Sequence, residues 1–214
     1  MVHAKLRDYR APLGGVYRNE FLSLARDAGA MTMIDRVSLF EAFGTIDQIR
    51  AGGQRTRMLV PVELATLDGD AWTWLDAELH RHRKLPNVLI VQVEATPDLI
   101  EPDKRALLAR ARKAGAAVAL ADRTGGLDWI PLWSQIPADF LRLPMAVVTS
   151  VPADEYLHRV ELWQQSGRGF IVDEVENFVS LRKLAALGID YLQGQAVAGS
   201  GPRPDFEFTS PPPA

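Results

Sequence analysis

Cysteine is absent from the 214 residues, which excludes disulfides and thiolate metal sites and leaves the redox compartment open. A dominant charge is absent too. The 24 Lys and Arg nearly balance the 27 Asp and Glu, for a net charge of −3, so nothing draws the chain generally to nucleic acid or anionic lipid. No apolar run approaches the roughly 20 residues that span a bilayer. The N-terminus lacks the basic-then-apolar order of a signal peptide. The expectation is a cytoplasmic protein with no nucleic-acid partner and no membrane insertion. What is present is 47% hydrophobic content, enough for one well-buried domain.

Strand and helix patterns alternate along the chain, as in an α/β fold with a parallel sheet. Val2 to Arg7 reads as a short strand, and Asn19 as the N-cap of a helix over Glu20 to Ala28 closed by Gly29. A second helix opens at Thr32, in which Ile34, Val37, Phe40, Phe43, Ile46 and Ile49 recur every three residues, and ends at Gly52-Gly53. Strands follow over Met58–Leu64, Val88–Val93, Ala116–Leu120, Phe140–Leu143 and Gly169–Val172, and Leu192 closes the series. Helices are expected over Asp70–His82, Lys104–Lys113, Ala153–Gln165 and Asn177–Leu187. The seven strand candidates are one fewer than a closed (β/α) barrel needs. Residues 1–198 form the expected domain, and 199–214, rich in proline, a flexible tail.

The end of the chain carries the strongest pattern. Ile171-Val172-Asp173-Glu174-Val175-Glu176 precedes a helix, and Asp190-Tyr191-Leu192-Gln193-Gly194 follows it. In a parallel barrel the carboxyl ends of strands face the active site, so Asp173 and Gln193 are expected to meet in one pocket. These segments resemble the AEGVE-like and DY-x-QG motifs of the EAL family, bacterial phosphodiesterases of cyclic di-GMP. His3-Ala4-Lys5-Leu6-Arg7-Asp8 resembles the family signature, and Glu20-Phe21-Leu22-Ser23-Leu24-Ala25 its EFIPLAE segment. The resemblance covers essentially the whole chain except the first strand that the family places before its signature. It implies a modified TIM barrel apparently lacking that strand.

The family hydrolyses one phosphodiester bond with two Mg2+ or Mn2+ ions, which need oxygen ligands and negative charge. Measured against that pattern, the signature glutamate is His3, the third-strand asparagine is Glu63, and the fourth-strand glutamate is Gln92. The first aspartate of the fifth-strand motif is Ala121, and its second survives as Asp122. The lysine beside the attacking water is matched by Arg142, which stays charged and makes a poor base. The AEGVE glutamate is shortened to Asp173, while Glu176, Gln193 and Arg7 are kept. The losses fall on the metal centre and its base, so the resemblance implies no resident metal and a degenerate, non-catalytic domain in cyclic di-GMP signalling that works through a protein partner.

Two alternatives stand beside it. One is a metal-independent receptor holding cyclic di-GMP through residues drawn from Arg7, Asp122, Arg142, Asp173, Glu176 and Gln193. The other is a residual phosphodiesterase with one Mg2+ or Mn2+ near His3, Glu63, Asp122 and Asp173. Arg7, Arg123 and Arg142 read either as a phosphate cradle or as compensation for neighbouring acids. His80-Arg81-His82-Arg83-Lys84 reads as a solvated helix end. Trp72 and Trp74, two apart, cannot share a helix face, so one is expected exposed or against a partner. Trp129 and Trp133 are expected to pack together, and with Leu132 they are candidates for a homodimer contact.

Overall fold

The computed structural model describes residues 6–7, 15–16, 18–54, 56–82, 87–123, 126–177, 184, 187 and 189–197. His3, the Thr124-Gly125 turn, most of the helix expected over Asn177–Leu187 and the proline-rich end lie outside them, as do the side chains of Arg7 and Phe21.

Six parallel strands form the frame: β3 (Met58–Pro61), β4 (Leu89–Glu94), β5 (Ala117–Ala121), β6 (Phe140–Pro144), β7 (Gly169–Asp173) and β8 (Tyr191–Leu192), hydrogen-bonded in that order. They curl into a half-barrel. A separate antiparallel pair joins β1 (Leu6–Arg7) to β2 (Gly15–Val16), with Leu6 opposite Val16. Leu6 and Arg7, the described part of the strand expected over Val2–Arg7, are extended as expected but pair with β2 and not with the parallel sheet. Val2-His3-Ala4-Lys5-Leu6-Arg7 alternates apolar and polar residues, whereas a barrel strand is buried on both faces.

The helices are α1 (Arg18–Asp27), α2 (Met31–Ala51), α3 (Gly69–Arg81), α4 (Pro102–Lys113), α5 (Ile130–Trp133), α6 (Met145–Val148) and α7 (Ala153–Gln164). Pro102 opens α4 at a position whose N–H would have no helical partner in any case. Asp35 ends β3. Its Oδ2 accepts the Glu63 N–H at 2.7 Å and the Thr66 hydroxyl at 2.7 Å, so the chain leaves the sheet for a 3-10 turn over Leu64–Leu67, short of the expected strand end at Leu64.

Alternation along the strands makes two apolar layers. Val60, Leu89, Val91, Val93, Val118, Leu120, Leu141, Leu143, Phe170 and Val172 join the layer shared with the helices. Leu59, Ile90, Ala117, Ala119, Phe140 and Ile171 form a second cluster on the inner face. Each fully buried Val, Leu or Phe contributes about 1.5–3 kcal/mol. The inner layer combines small and large residues in register. Ala119 pairs with Phe140, and the Phe140 ring also covers Gly169, where any side chain would press on it.

The α2 helix does not bury all of its three-residue apolar repeat. Met31, Asp35, Ser38, Leu39, Ala42, Phe43 and Ile46 are buried, while Met33, Val37 and Phe40 are 67%, 57% and 64% exposed. A strict three-residue repeat drifts around a helix of 3.6 residues per turn, so Val37 and Phe40 rotate off the face that Phe43 and Ile46 keep.

Trp72 and Trp74 are both half-buried. The α3 helix contacts α2, and Arg110 of α4 lies 4.6 Å from the Trp72 ring centroid. Phe43 meets Trp74 edge-on at 6.4 Å, with Arg36 at 5.4 Å. Neither indole is left over for a partner, because α3 has a neighbour on each side. His82 is likewise no solvated helix end. It is 5% exposed and stacks on Phe43 at 4.8 Å. Its Nδ1 lies 2.8 Å from the Glu78 carbonyl and its Nε2 3.0 Å from Asp47 Oδ1, tying the end of α3 to α2.

Candidate functional site

Side chains two residues apart on a strand share a face. Gln92 follows Ile90, Arg142 follows Phe140 and Asp173 follows Ile171, so all three continue the inner layer towards the carboxyl ends of β4, β6 and β7. There the apolar layer stops and a polar cluster begins. Arg142 Nη1 donates to Gln92 Oε1 at 2.7 Å, and Nη2 lies 2.6 Å from Asp173 Oδ2. Gln92, Arg142 and Asp173 are 2%, 6% and 8% exposed. Ala121, opposite Arg142 in register, leaves room for the long side chain.

A buried guanidinium is costly unless matched. Here burial pulls the Arg142 pKa below the ordinary arginine value, and the Asp173 carboxylate opposes that pull. Asp173 Oδ1 is buried with no hydrogen-bond partner among the described residues.

The segment after Asp173 fixes the rim. Glu174 takes a left-handed conformation with φ +59°. Val175 N–H donates to the Gln193 carbonyl at 3.0 Å, and Gln193 N–H to the Val172 carbonyl at 2.8 Å. Gly194, at φ +149°, lies directly on the Val175 backbone, so a Cβ there would collide with main-chain atoms. This close approach sets the Gln193 backbone beside Val172, the residue before Asp173. Glu176 is exposed.

Asp122 takes another direction. It is 1% exposed, and its Oδ2 accepts the Trp133 indole N–H at 2.7 Å. Lying one residue beyond Ala121, it falls on the helix side of the sheet and meets α5. Glu63 also turns away from the expected metal role and pairs with Arg26 of α1 at 2.6 Å. Arg123 Nε is 3.6 Å from Glu94 Oε1 at the exposed rim. The structure thus joins Gln92, Arg142 and Asp173, brings Gln193 alongside through its backbone, and commits Glu63 and Asp122 to other contacts. Arg7 lies in the β1–β2 ladder. Among the described residues, no group of three or more His, Asp or Glu could hold a metal ion.

Trp129 and Trp133 stack at 5.4 Å, as expected. Trp133 is 1% exposed, so of the proposed contact residues Trp129 presents the larger surface. Asp35, which caps the turn after β3, escaped the sequence reading because it sits within an apolar-periodic helix. Its one signal is a carboxylate among Met31, Ile34 and Leu39.

The EAL domain family model matches residues 4–200. An uncharacterized 76.5 kDa protein of Thiocystis violacea is 26% identical over 192 residues, which are 88% of this chain. The chain spans 28% of that relative's length. Among solved structures, the FimX EAL domain of Xanthomonas citri in complex with c-di-GMP superposes with a TM-score of 0.78 at 21% identity, covering 93% of this chain and 81% of that one. The FimX EAL domain of Pseudomonas aeruginosa bound to c-di-GMP gives 0.73 at 20% identity, covering 87% and 77%. Among the described residues, no helix is long and apolar enough to cross a membrane.

Proposed function

The chain belongs to the EAL domain family, and from that footing we propose that it serves cyclic di-GMP signalling without hydrolysing the dinucleotide. The observation that carries this reading is the Arg142 guanidinium held between Gln92 and Asp173. A pair of hard dications requires several free carboxylate oxygens. Among the described residues, the inner face supplies one buried carboxylate, one neutral amide and a resident cation that repels any second one. That donor set does not fit two Mg2+ or Mn2+ ions, and no hydrolytic step is drawn through them. Arg142, matched to Asp173 and buried, also serves poorly as a base.

The domain then acts by contact. Support comes from α2, where exposed Met33, Val37 and Phe40 recur at i, i+4 and i+7, a stripe suited to a protein partner. The second reading is a metal-independent receptor, favoured by the likeness to EAL domains described in complex with c-di-GMP.

Incubation with cyclic di-GMP and Mg2+ or Mn2+, followed by chromatography of the products, tests the common claim. No linear dinucleotide is expected, and metal-dependent product lost on Asp173→Asn would overturn it. Calorimetry separates the two readings. Saturable heat with cyclic di-GMP in the presence of a chelator supports the receptor, and its absence at high ligand supports the contact domain.

A further inference from the structure

At the other end of the same strands lies a feature the reading above does not use. The first residues of β6, β7 and β8 open onto a surface depression of about 430 Å3, lined by Arg57, Phe140, Gln164, Arg168, Asp190 and Tyr191 among others. Its walls differ in chemistry from the layers above it. Phe140 and Tyr191 meet edge-on at 5.5 Å; Phe140 is buried, and Tyr191, exposed, supplies the ring surface. Arg57 Nη1 donates to the Tyr191 hydroxyl at 3.2 Å, joining the approach to β3 to the strand at the opposite edge of the half-barrel.

Arg168 is the unusual member. Its guanidinium carbon lies 4.7 Å from the Trp163 ring centroid, and its Nη1 is buried with no hydrogen-bond partner among the described residues. Burial and the nearby Arg112 both lower its pKa, and only Asp139 opposes them. Asp139 is itself bound by Arg112 at 2.7 Å. A buried, unmatched guanidinium donor is costly, and an anion is what would match it. Asp190 spends Oδ2 on the Phe170 N–H at 2.8 Å, leaving its other oxygen for a hydroxyl or amino group.

We propose that this depression binds a small organic phosphate bearing a flat ring, of mononucleotide size. The phosphate is held by Arg57 and Arg168, and the ring lies against Tyr191. Guanidinium forks match phosphate oxygens, and ring-on-ring contact adds selectivity over the bare anion. Because Arg57 precedes β3 and Tyr191 belongs to β8, a bound phosphate would brace both edges of the half-barrel and raise its melting temperature. The proposal is independent of whether cyclic di-GMP binds beside Arg142.

Calorimetry at low ionic strength with adenosine monophosphate and with inorganic phosphate tests it on the full chain. The nucleotide is expected to bind at one site, at least tenfold more tightly than inorganic phosphate. Arg168→Ala and Arg57→Gln should each weaken it tenfold or more, while Arg105→Ala on exposed α4 should not. Arg57 is exposed, so its variant keeps the fold even where Arg168→Ala does not. Absence of saturable heat, equal affinity for the two ligands, or unchanged affinity in Arg57→Gln would each overturn the proposal.

Discussion

Arg142 and Asp173 face one another at 2.6 Å between adjacent strands, both more than nine-tenths buried. Removing one partner strands the other charge without water. Arg142→Met is expected to cost about 3–5 kcal/mol, whereas the double change to Met and Leu costs far less or stabilises. Urea denaturation of both single variants and the double closes the cycle. A coupling of at least about 2 kcal/mol is expected, and strict additivity would show that the pair is not the unit described.

His82 ties two helices through a stack and two polar contacts. Its change to Ala removes all three, and about 2 kcal/mol of stability is expected to go with them. His82→Phe keeps the stack on Phe43 and should recover part of the loss. Equal losses in the two variants, read by thermal denaturation, would show that the ring contact contributes nothing.

Tyr156 sets an alkaline limit. Burial, and secondarily the Asp190 carboxylate, hold its hydroxyl pKa well above the ordinary tyrosine value. The unfolded chain therefore releases this proton near its usual pKa of about 10, while the folded chain keeps it. The contribution to stability is complete below about pH 10 and falls by about 1.4 kcal/mol per pH unit above that point, until the folded-state pKa is passed. Tyr156→Phe should flatten that slope in urea titrations. An identical slope in the variant would contradict the assignment.

The rim after β7 gives two opposite expectations from backbone geometry. Glu174 sits at φ +59°, where a Cβ is unfavourable, so Glu174→Gly should stabilise by about 0.5–1 kcal/mol. Gly194→Ala should destabilise by about 3 kcal/mol or more, since the added carbon meets the Val175 backbone. Equal and small effects in both, measured by denaturant unfolding, would place the close approach elsewhere.

The parallel sheet was legible because its strands are short apolar runs punctuated by glycine and proline. The run Leu89-Ile90-Val91-Gln92-Val93 states its double-sided burial outright. The first short strand was legible at Leu6 and Arg7, but its partner was not, because the antiparallel pairing with Gly15-Val16 is set by the intervening residues. Gln92, Arg142 and Asp173 could be singled out from motif resemblance, and their meeting followed from strand order. Their mutual bonding was not visible, because it joins residues 50 positions apart and no local periodicity encodes such a pair. The same holds for Trp133 with Asp122 and for Arg26 with Glu63.

Among the described residues the six-stranded sheet stays open, a hazard that the chain handles locally. An open sheet ends in bare peptide groups that invite strands from other molecules. At one border the pairing ends at Pro61, which has no N–H to lend. At the other the strand is two residues long, with little length for an intruder to follow. These short borders discourage runaway polymerisation, so concentrated solutions should stay clear and free of fibrils.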